Sequence, residues 1–125
     1  MAKILVIDDD TIVRETISQI LAKQGYQVRQ AESLRTGIDL ARQHPYDLIF
    51  LDVQLPDGNG IDKLPEFQCL PSYPEVIIIT GYADPDGAEL SMKSNAWDYI
   101  EKPVSVKAIH QIVRRALQYR EEKKN

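Results

Sequence analysis

Acidic side chains follow two apolar runs of the sequence at the point where each run ends. Asp8–Asp10 come directly after Ile4–Ile7, and Asp52 follows Leu48–Leu51. Neighbouring carboxylates repel one another, so such a cluster needs a compensating positive charge. A hard divalent cation meets this need, because Mg²⁺ in proteins is bound through one or two carboxylates, water and phosphate oxygens. These residues therefore indicate a magnesium site.

Two further apolar runs end in groups that suit an anion. Thr80 and Gly81 follow Val76–Ile79, and Lys102 comes shortly after Trp97–Ile100. The oxygens of a phosphoryl group can accept hydrogen bonds from all three donors here: the Thr80 hydroxyl, the Lys102 ammonium and the backbone amide of Gly81, which no side chain shields. The same electrostatics stabilise phosphoryl transfer, in which charge develops on the equatorial oxygens. The sequence thus predicts a site that holds a metal ion and a phosphoryl group together.

Each of these residues also has an ordinary structural explanation. An aspartate at a strand end is usually a turn former or a helix cap, and we expect Asp10 and Thr11 to cap the first helix. A single lysine is usually solvated, and a single threonine usually bonds nearby backbone. Only the joint arrangement at four strand ends favours a functional site.

Phosphoryl transfer needs an acceptor, and the histidines do not supply one. His44 and His110 fall in helical contexts without a neighbouring serine, and both are expected at the surface. An aspartate carboxylate can itself accept a phosphoryl group and form an acyl phosphate. Asp52 stands alone at the end of its strand and is the best candidate, which leaves Asp8 and Asp9 to bind the cation.

The apolar runs and the helical stripes between them predict the fold. Runs without polar alternation are typical of parallel strands buried on both faces. Five strand–helix repeats joined by right-handed crossovers give a doubly wound five-stranded parallel α/β sheet, with its polar strand ends at one edge. The predicted strands are Ile4–Ile7, Tyr26–Ala31, Leu48–Leu51, Val76–Ile79 and Trp97–Ile100.

The helical patterns differ in strength. The clearest apolar stripe runs from Ile109 to Leu117, whereas the segment Ile61–Leu70 contains Pro65. A further helix is predicted from an N-cap at Asp84 to about Asn95. It has little apolar surface beyond three small or flexible residues, so we expect this helix to be loosely held. They are Ala88, Met92 and Ala96.

Composition sets limits on the class of protein. The 125 residues suit one domain, and the formal charge of −4, from 19 acidic and 15 basic residues, argues against a nucleic-acid surface. Cys69 is the single cysteine, so no internal disulfide can form and a reducing compartment is expected. No apolar run approaches the roughly 20 residues of a membrane helix, and none forms a signal peptide. We expect a cytoplasmic protein.

Four motifs carry a resemblance to a known family. The segments "ILVIDDD", "LIFLDVQLPDGNG", "VIIITGYAD" and "AWDYIEKP" resemble the receiver domains of two-component response regulators, in an order that covers the chain to about Leu117. The resemblance implies a flavodoxin-like sheet with strand order 2-1-3-4-5. The stretch from Thr80 to Ser105 is most similar to receivers of NtrC-like transcription activators.

The resemblance implies a role for each matching residue at the acidic site. Asp52 becomes the phosphoacceptor, and Mg²⁺ is bound by Asp8, Asp9, Asp52 and the backbone carbonyl of Gln54. Within this set Asp9 is a direct ligand and Asp8 acts largely through water. The domain would catalyse its own phosphorylation from a phosphohistidine and its own dephosphorylation, without being a conventional enzyme.

Other matching residues would contact the phosphoryl group or report its presence. Thr80 becomes the switch hydroxyl and Tyr99 the switch aromatic, while Lys102 pairs with the phosphate and precedes a cis peptide bond at Pro103. Gln54 and Tyr82 are hypothesised to set the phosphoryl lifetime, Tyr82 by shielding the acyl phosphate from water. The roles in summary are catalytic for Asp52, Thr80 and Lys102, and phosphate-contacting for Gly81 and Lys102.

Two positions depart from the family pattern, and neither belongs to the proposed site. Pro65 interrupts the third helix. Asn95 stands where many family members have glycine, and asparagine also tolerates a left-handed backbone.

The resemblance also implies partners. A sensor histidine kinase would donate the phosphoryl group, and a longer protein would add AAA+ and DNA-binding output domains. Residues 1–120 are predicted to form the receiver domain, and the charged residues 121–125 are either a fraying helix end or the start of a linker. The sequence leaves open a homodimer through residues 84–119, and predicts no direct contact of this domain with nucleic acid or membrane.

Three alternatives remain open from the sequence. The chain could be a single-domain phosphorelay regulator, or a pseudo-receiver that binds partners without accepting phosphate. Haloacid-dehalogenase-type phosphatases also carry Asp-x-Asp after a first strand, which would make Asp8 the nucleophile and leave Asp52 unexplained.

Overall fold

A five-stranded parallel β-sheet lies at the centre of the computed structural model, which describes residues 1–81 and 85–123. A short antiparallel hairpin follows the third strand. The strands are β1 (Lys3–Ile7), β2 (Gln27–Ala31), β3 (Leu48–Asp52), β4 (Gln54–Leu55), β5 (Gly58–Asn59), β6 (Glu75–Thr80) and β7 (Asp98–Glu101). The sheet order is β2-β1-β3-β6-β7, which is the predicted order 2-1-3-4-5 once the two hairpin strands are set aside.

The register of the central strands brings the polar residues together. Ile7 of β1 pairs with Leu51 of β3, and Asp52 pairs with Ile79 of β6. Asp8 and Thr80 therefore lie at the same edge of the sheet as Asp52. All five residues of β3 and all six of β6 are buried, as expected for strands covered on both faces.

Helices cover both faces of the sheet, so the predicted doubly wound fold is confirmed. The helices are α1 (Thr11–Lys23), α2 (Leu34–Gln43), α3 (Leu64–Gln68), α4 (Pro85–Lys93) and α5 (Val106–Lys123). Residues of β1 alternate between two apolar clusters: Leu5 and Ile7 pack towards α2 and α3, and Ile4 and Val6 towards α1 and α5. The helix α4 packs against β6 and β7.

Side-chain caps fix where the first two helices begin. Asp10 accepts hydrogen bonds from the backbone amides of Ile12 and Val13 at 2.9 and 3.2 Å, which confirms its predicted capping role. Ser33 caps α2 by accepting from the amide of Thr36 at 3.1 Å. The predicted cap of α4, Asp84, lies outside the described residues.

The third helix is shorter than predicted, and the fourth packs in an unusual way. The helix predicted over Ile61–Leu70 is only the five residues of α3, because Pro65 lies in its first turn and its preceding residues form turns. In α4, the apolar residue Met92 is 49% exposed. Ser91 is buried instead, and its hydroxyl donates to the carbonyl of Gly87 at 2.6 Å. The inner face of α4 thus consists of small residues.

An ion-pair cluster fastens the last turns of α5 to the amino-terminal edge of the sheet, opposite to the edge that carries Asp8 and Asp52. The Arg120 guanidinium, only 11% exposed, donates to Asp47 at 3.0 Å, to Glu75 at 3.2 Å and to the carbonyl of Tyr73 at 2.7 Å. Lys123 approaches Glu75 at 2.8 Å. The helix therefore continues past Leu117, and its end is held by the starts of β3 and β6.

Candidate functional site

Three carboxylates converge at the carboxyl edge of the sheet. One oxygen from each of Asp8, Asp9 and Asp52 lies within 4.8 Å of the other two. Asp8 is fully buried, Asp52 is 5% exposed, and Asp9 is exposed. Asp8 follows the end of β1, and Asp52 ends the adjacent strand β3. The structure thus brings the sequence-predicted acidic residues together.

Among the described residues, one ammonium lies beside these carboxylates. The Nζ atom of Lys102 lies 3.3 Å from Oδ2 of Asp8 and 3.7 Å from Oδ2 of Asp52. Its backbone is held by the end of β6, because the Lys102 amide donates to the Thr80 carbonyl at 3.0 Å. The following bond, to Pro103, is cis, as the resemblance implied.

The charges of the site oppose one another. Burial, followed by repulsion from Asp8, raises the pKa of Asp52 to about 7, although Lys102 acts in the opposite direction. Burial lowers the pKa of Lys102, but attraction by Asp52 and Asp8 more than offsets this and leaves it above its usual value. One ammonium therefore does not compensate three carboxylates.

The donor set fits a divalent cation. Oδ1 of Asp8 accepts from the amide of Asp10 at 2.9 Å, but Oδ2 has no hydrogen-bond partner among the described residues, only its ion pair with Lys102. A buried carboxylate oxygen without a hydrogen bond is costly, and a metal ion would offset that cost further than the ammonium that Asp8 shares with Asp52. Oxygen-only ligands and excess negative charge match the preference of Mg²⁺.

An open cleft of about 750 Å³ lies over the acidic residues. It gives solvent and ligands access to Asp52 and places the predicted residues Gln54 and Gly81 on its walls. Gln54 is exposed, as a residue at the rim should be. The cleft is lined by Asp9, Asp10, Asp52, Val53, Gln54, Leu55, Pro56, Gly81 and Lys102.

The two predicted switch residues do not line the cleft. Thr80 is fully buried, and its hydroxyl donates to the carbonyl of Ile100 at 3.4 Å, towards β7. Tyr99 is half-buried and packs against the apolar cluster under α2 and α3. Tyr82, predicted to tune the phosphoryl lifetime, lies outside the described residues.

The sequence did not predict two residues, Arg14 and Gly60, that hold the backbone next to the acidic side chains. The Arg14 guanidinium donates to the backbone carbonyl of Asp8 at 2.8 Å. Gly60 donates its amide to the carbonyl of Val53 at 2.7 Å, and a β-carbon there would collide with the Asp52 carbonyl. The Asn-Gly pair at 59 and 60 was visible as a turn signal, but the close approach was not.

Asp57 was also missed. It lies at the tip of the β4–β5 hairpin, and its carboxylate accepts from the backbone amides of Leu34 and Arg35 at 2.9 and 3.0 Å. These hydrogen bonds, that of Arg35 first, lower the pKa of Asp57. The hairpin that follows Asp52 is therefore tied to the beginning of α2.

Comparison with known proteins assigns this arrangement to a family. The sequence matches the family model for the response regulator receiver domain over residues 4–114, which contains every carboxylate of the cleft. The chain belongs to this family. The receiver is 35% identical to the regulatory protein AtoC of Escherichia coli over 98% of its length, yet covers only 26% of AtoC.

Solved receivers share its fold closely. A CheY-like receiver domain protein from Methanospirillum hungatei superposes with a TM-score of 0.90 at 29% identity, over 98% of both chains. NtrX from Brucella abortus, crystallised with ADP, gives 0.92 at 27% identity and is covered over 28% of its length. These matches confirm the predicted receiver and its resemblance to NtrC-like regulators. In the described part of this receiver, no helix is long and apolar enough to cross a membrane.

Proposed function

We propose that this receiver accepts a phosphoryl group on Asp52 from the phosphohistidine of a sensor histidine kinase and then changes conformation. The observation that carries the proposal is the position of Asp52. Its carboxylate ends the central strand, lines an open cleft, and lies within reach of two further carboxylates and the Lys102 ammonium. This combination serves phosphoryl transfer better than any other chemistry the cleft offers.

The transfer requires an ionised carboxylate. An oxygen of Asp52 attacks phosphorus in line, a P–O bond forms, the P–N bond breaks, and its electron pair returns to the imidazole nitrogen of the kinase. Lys102 donates to a phosphoryl oxygen and offsets its charge. Mg²⁺, when bound by Asp8, Asp9, Asp52 and the Gln54 carbonyl, supplies positive charge for the carboxylates and the phosphoryl oxygens.

The same groups serve dephosphorylation, in which water attacks the phosphorus and frees Asp52. We place Gln54 at the rim of the cleft, where its side chain influences the approach of water. Tyr82 is proposed to shield the acyl phosphate. A Tyr82→Ala variant is expected to lose its phosphoryl group faster, and an unchanged dephosphorylation rate would reject this role.

Phosphorylation would be reported through Thr80 and Tyr99. In the described structure the Thr80 hydroxyl bonds Ile100, and a phosphoryl oxygen on Asp52 would compete for that donor. Moving the threonine frees space beside β7 for the ring of Tyr99. The outcome is a population shift at the surface formed by α4, β7 and α5.

The setting of the domain follows from its family. We propose a cytoplasmic regulator in which this receiver controls an output, most simply AAA+ and DNA-binding domains in a longer protein that regulates transcription. The receiver itself would contact kinase and output domains, or a second receiver through residues 84–119, rather than nucleic acid or membrane.

Intact-mass spectrometry after incubation with acetyl phosphate tests the proposal. We expect one phosphoryl adduct in the wild-type protein with Mg²⁺, and none with EDTA or in Asp52→Asn. The control Asp62→Asn alters an exposed carboxylate that does not line the cleft and should be phosphorylated normally. No adduct under any condition would favour a pseudo-receiver. Phosphorylation of Asp52→Asn but not of Asp8→Asn would favour the haloacid-dehalogenase mechanism instead.

A further inference from the structure

The hairpin β4–β5 carries part of the proposed metal site. It begins two residues after Asp52 with Gln54, whose carbonyl is a proposed ligand. Its base is fixed by the Gly60 amide, which donates to the carbonyl of Val53 at 2.7 Å. A two-stranded hairpin alone is only marginally stable, so its tip needs a further anchor to hold the Gln54 carbonyl in place.

Asp57 provides that anchor. Each of its carboxylate oxygens accepts one amide of the α2 N-terminus, from Leu34 at 2.9 Å and from Arg35 at 3.0 Å. Carboxylates are favoured at this end of a helix by its free amides and its dipole. The next residue, Gly58, has a φ of 150°, and a β-carbon there would lie only 3.0 Å from Cδ1 of the buried Leu34.

The α2 N-terminus does not depend on Asp57 alone. Ser33 separately caps the helix through the amide of Thr36. The contact between Asp57 and α2 therefore does more than begin a helix, because it joins the helix to the loop that follows Asp52. The neighbouring hairpin residue Leu55 is 9% exposed and belongs to the same apolar cluster as Leu34, which reinforces the join.

We infer that Asp57 is a positioning residue for the metal site, which it serves by fixing the hairpin tip to α2. The inference rests on the proposed function of the cleft. Because free energy coupling between two sites is reciprocal, a metal ion bound at the cleft should also tighten the contact between Asp57 and the α2 amides.

Calorimetric titration with Mg²⁺ tests the inference on the full chain. The Asp57→Ala variant is expected to bind Mg²⁺ about fivefold more weakly, equivalent to about 1 kcal/mol. Its phosphorylation rate at saturating Mg²⁺ should stay close to that of the wild type. The matched control is Ser33→Ala, which removes a cap from the same helix without touching the hairpin, and should leave the Mg²⁺ dissociation constant unchanged.

A second measurement detects the coupling between the metal site and the α2 N-terminus without any phosphorylation. In wild-type protein the backbone amide resonances of Leu34 and Arg35 should shift as Mg²⁺ is added, and in Asp57→Ala this response should disappear. Equal Mg²⁺ affinities in Asp57→Ala and Ser33→Ala would overturn the inference, as would a wild-type protein that binds no Mg²⁺. A wild-type protein that binds Mg²⁺ but accepts no phosphoryl group would overturn the proposed function alone.

Discussion

Gly60 approaches the backbone carbonyl of Asp52 so closely that no β-carbon fits between them. We predict that Gly60→Ala destabilises the protein by about 2 kcal/mol, because the loop or the end of β3 must shift to relieve the collision. The same shift displaces the Asp52 carboxylate, so phosphorylation by acetyl phosphate should be slower. Urea denaturation and adduct formation measured together test both effects.

The control for this substitution is Asp62→Ala, in the same loop but exposed. It should change the free energy of unfolding by less than about 0.5 kcal/mol. A Gly60→Ala protein as stable as this control would show that the loop accommodates a methyl group freely.

The pH dependence of stability should reveal the buried carboxylate of Asp52. Burial and the Asp8 charge raise its folded-state pKa from 3.8 to about 7, so the folded protein binds an extra proton between these values. The stability that this proton gives the folded state is fully present below the unfolded-state pKa and is lost as the pH rises through about 7. Without metal, wild-type protein should therefore lose stability relative to Asp52→Asn as the pH rises.

Denaturation of both proteins in EDTA, from about pH 5 to about pH 8, measures the effect, which we expect to reach about 2 kcal/mol. Added Mg²⁺ should reduce the difference, since the cation compensates the ionised carboxylates. Parallel stability curves for the two proteins in EDTA would contradict the raised pKa.

Lys102 should have opposite effects on metal binding and on chemistry. Its ammonium lies 3.3 Å from Asp8 and therefore repels a second cation. We predict that Lys102→Ala binds Mg²⁺ about threefold more tightly by calorimetry. The variant should be phosphorylated about a hundredfold more slowly, because a charged donor to the phosphoryl group is missing.

Lys63→Ala is the matched control, since Lys63 is a partly exposed lysine that pairs with Glu66 at 3.4 Å outside the cleft. Lys63→Ala should change neither the Mg²⁺ affinity nor the phosphorylation rate. Weaker Mg²⁺ binding by Lys102→Ala would mean that the lysine organises the carboxylates more than it repels the cation.

Arg120 should stabilise the protein without affecting the cleft. Its removal leaves Oδ1 of Asp47 and two loop carbonyls without the guanidinium donor. Among the described residues, Glu75 would then keep only its ion pair with Lys123. We expect Arg120→Ala to cost about 3 kcal/mol by urea denaturation, as for other broken buried pairs.

The exposed pair formed by Arg115 and Asp98, at 3.3 Å, provides the comparison. Arg115→Ala should cost about 0.5 kcal/mol. Both variants should keep the wild-type Mg²⁺ affinity, and a loss of affinity in Arg120→Ala would indicate that the two edges of the sheet are coupled.

The sheet and its acidic edge could be predicted because the relevant signals are local. Strands buried on both faces appear as unbroken apolar runs, and the polar residue that ends each run marks the carboxyl edge. Ile4–Ile7 and Leu48–Leu51 thus predicted β1 and β3 to within one residue at each end. The position of Asp8 beside Asp52 followed from the topology.

The supporting contacts could not be predicted, because they join distant parts of the chain. Asp57 with Leu34, and Arg120 with Glu75, are polar contacts that no periodic pattern marks. The limits of α3 and the inner face of α4 also depend on tertiary packing. There Ser91 is buried and Met92 exposed, against their ordinary hydrophobic ranking.

The anchored end of α5 has a consequence for protein engineering. A version shortened after Leu117 would lose Arg120 and Lys123, which pair with Glu75, whose side chain is 9% exposed. If a helical partner were fused directly after Lys123, the continuous helix would hold the partner in a fixed orientation relative to the sheet. Since an α-helix turns by about 100° per residue, each residue inserted at that junction would rotate the partner by about that angle around the α5 axis.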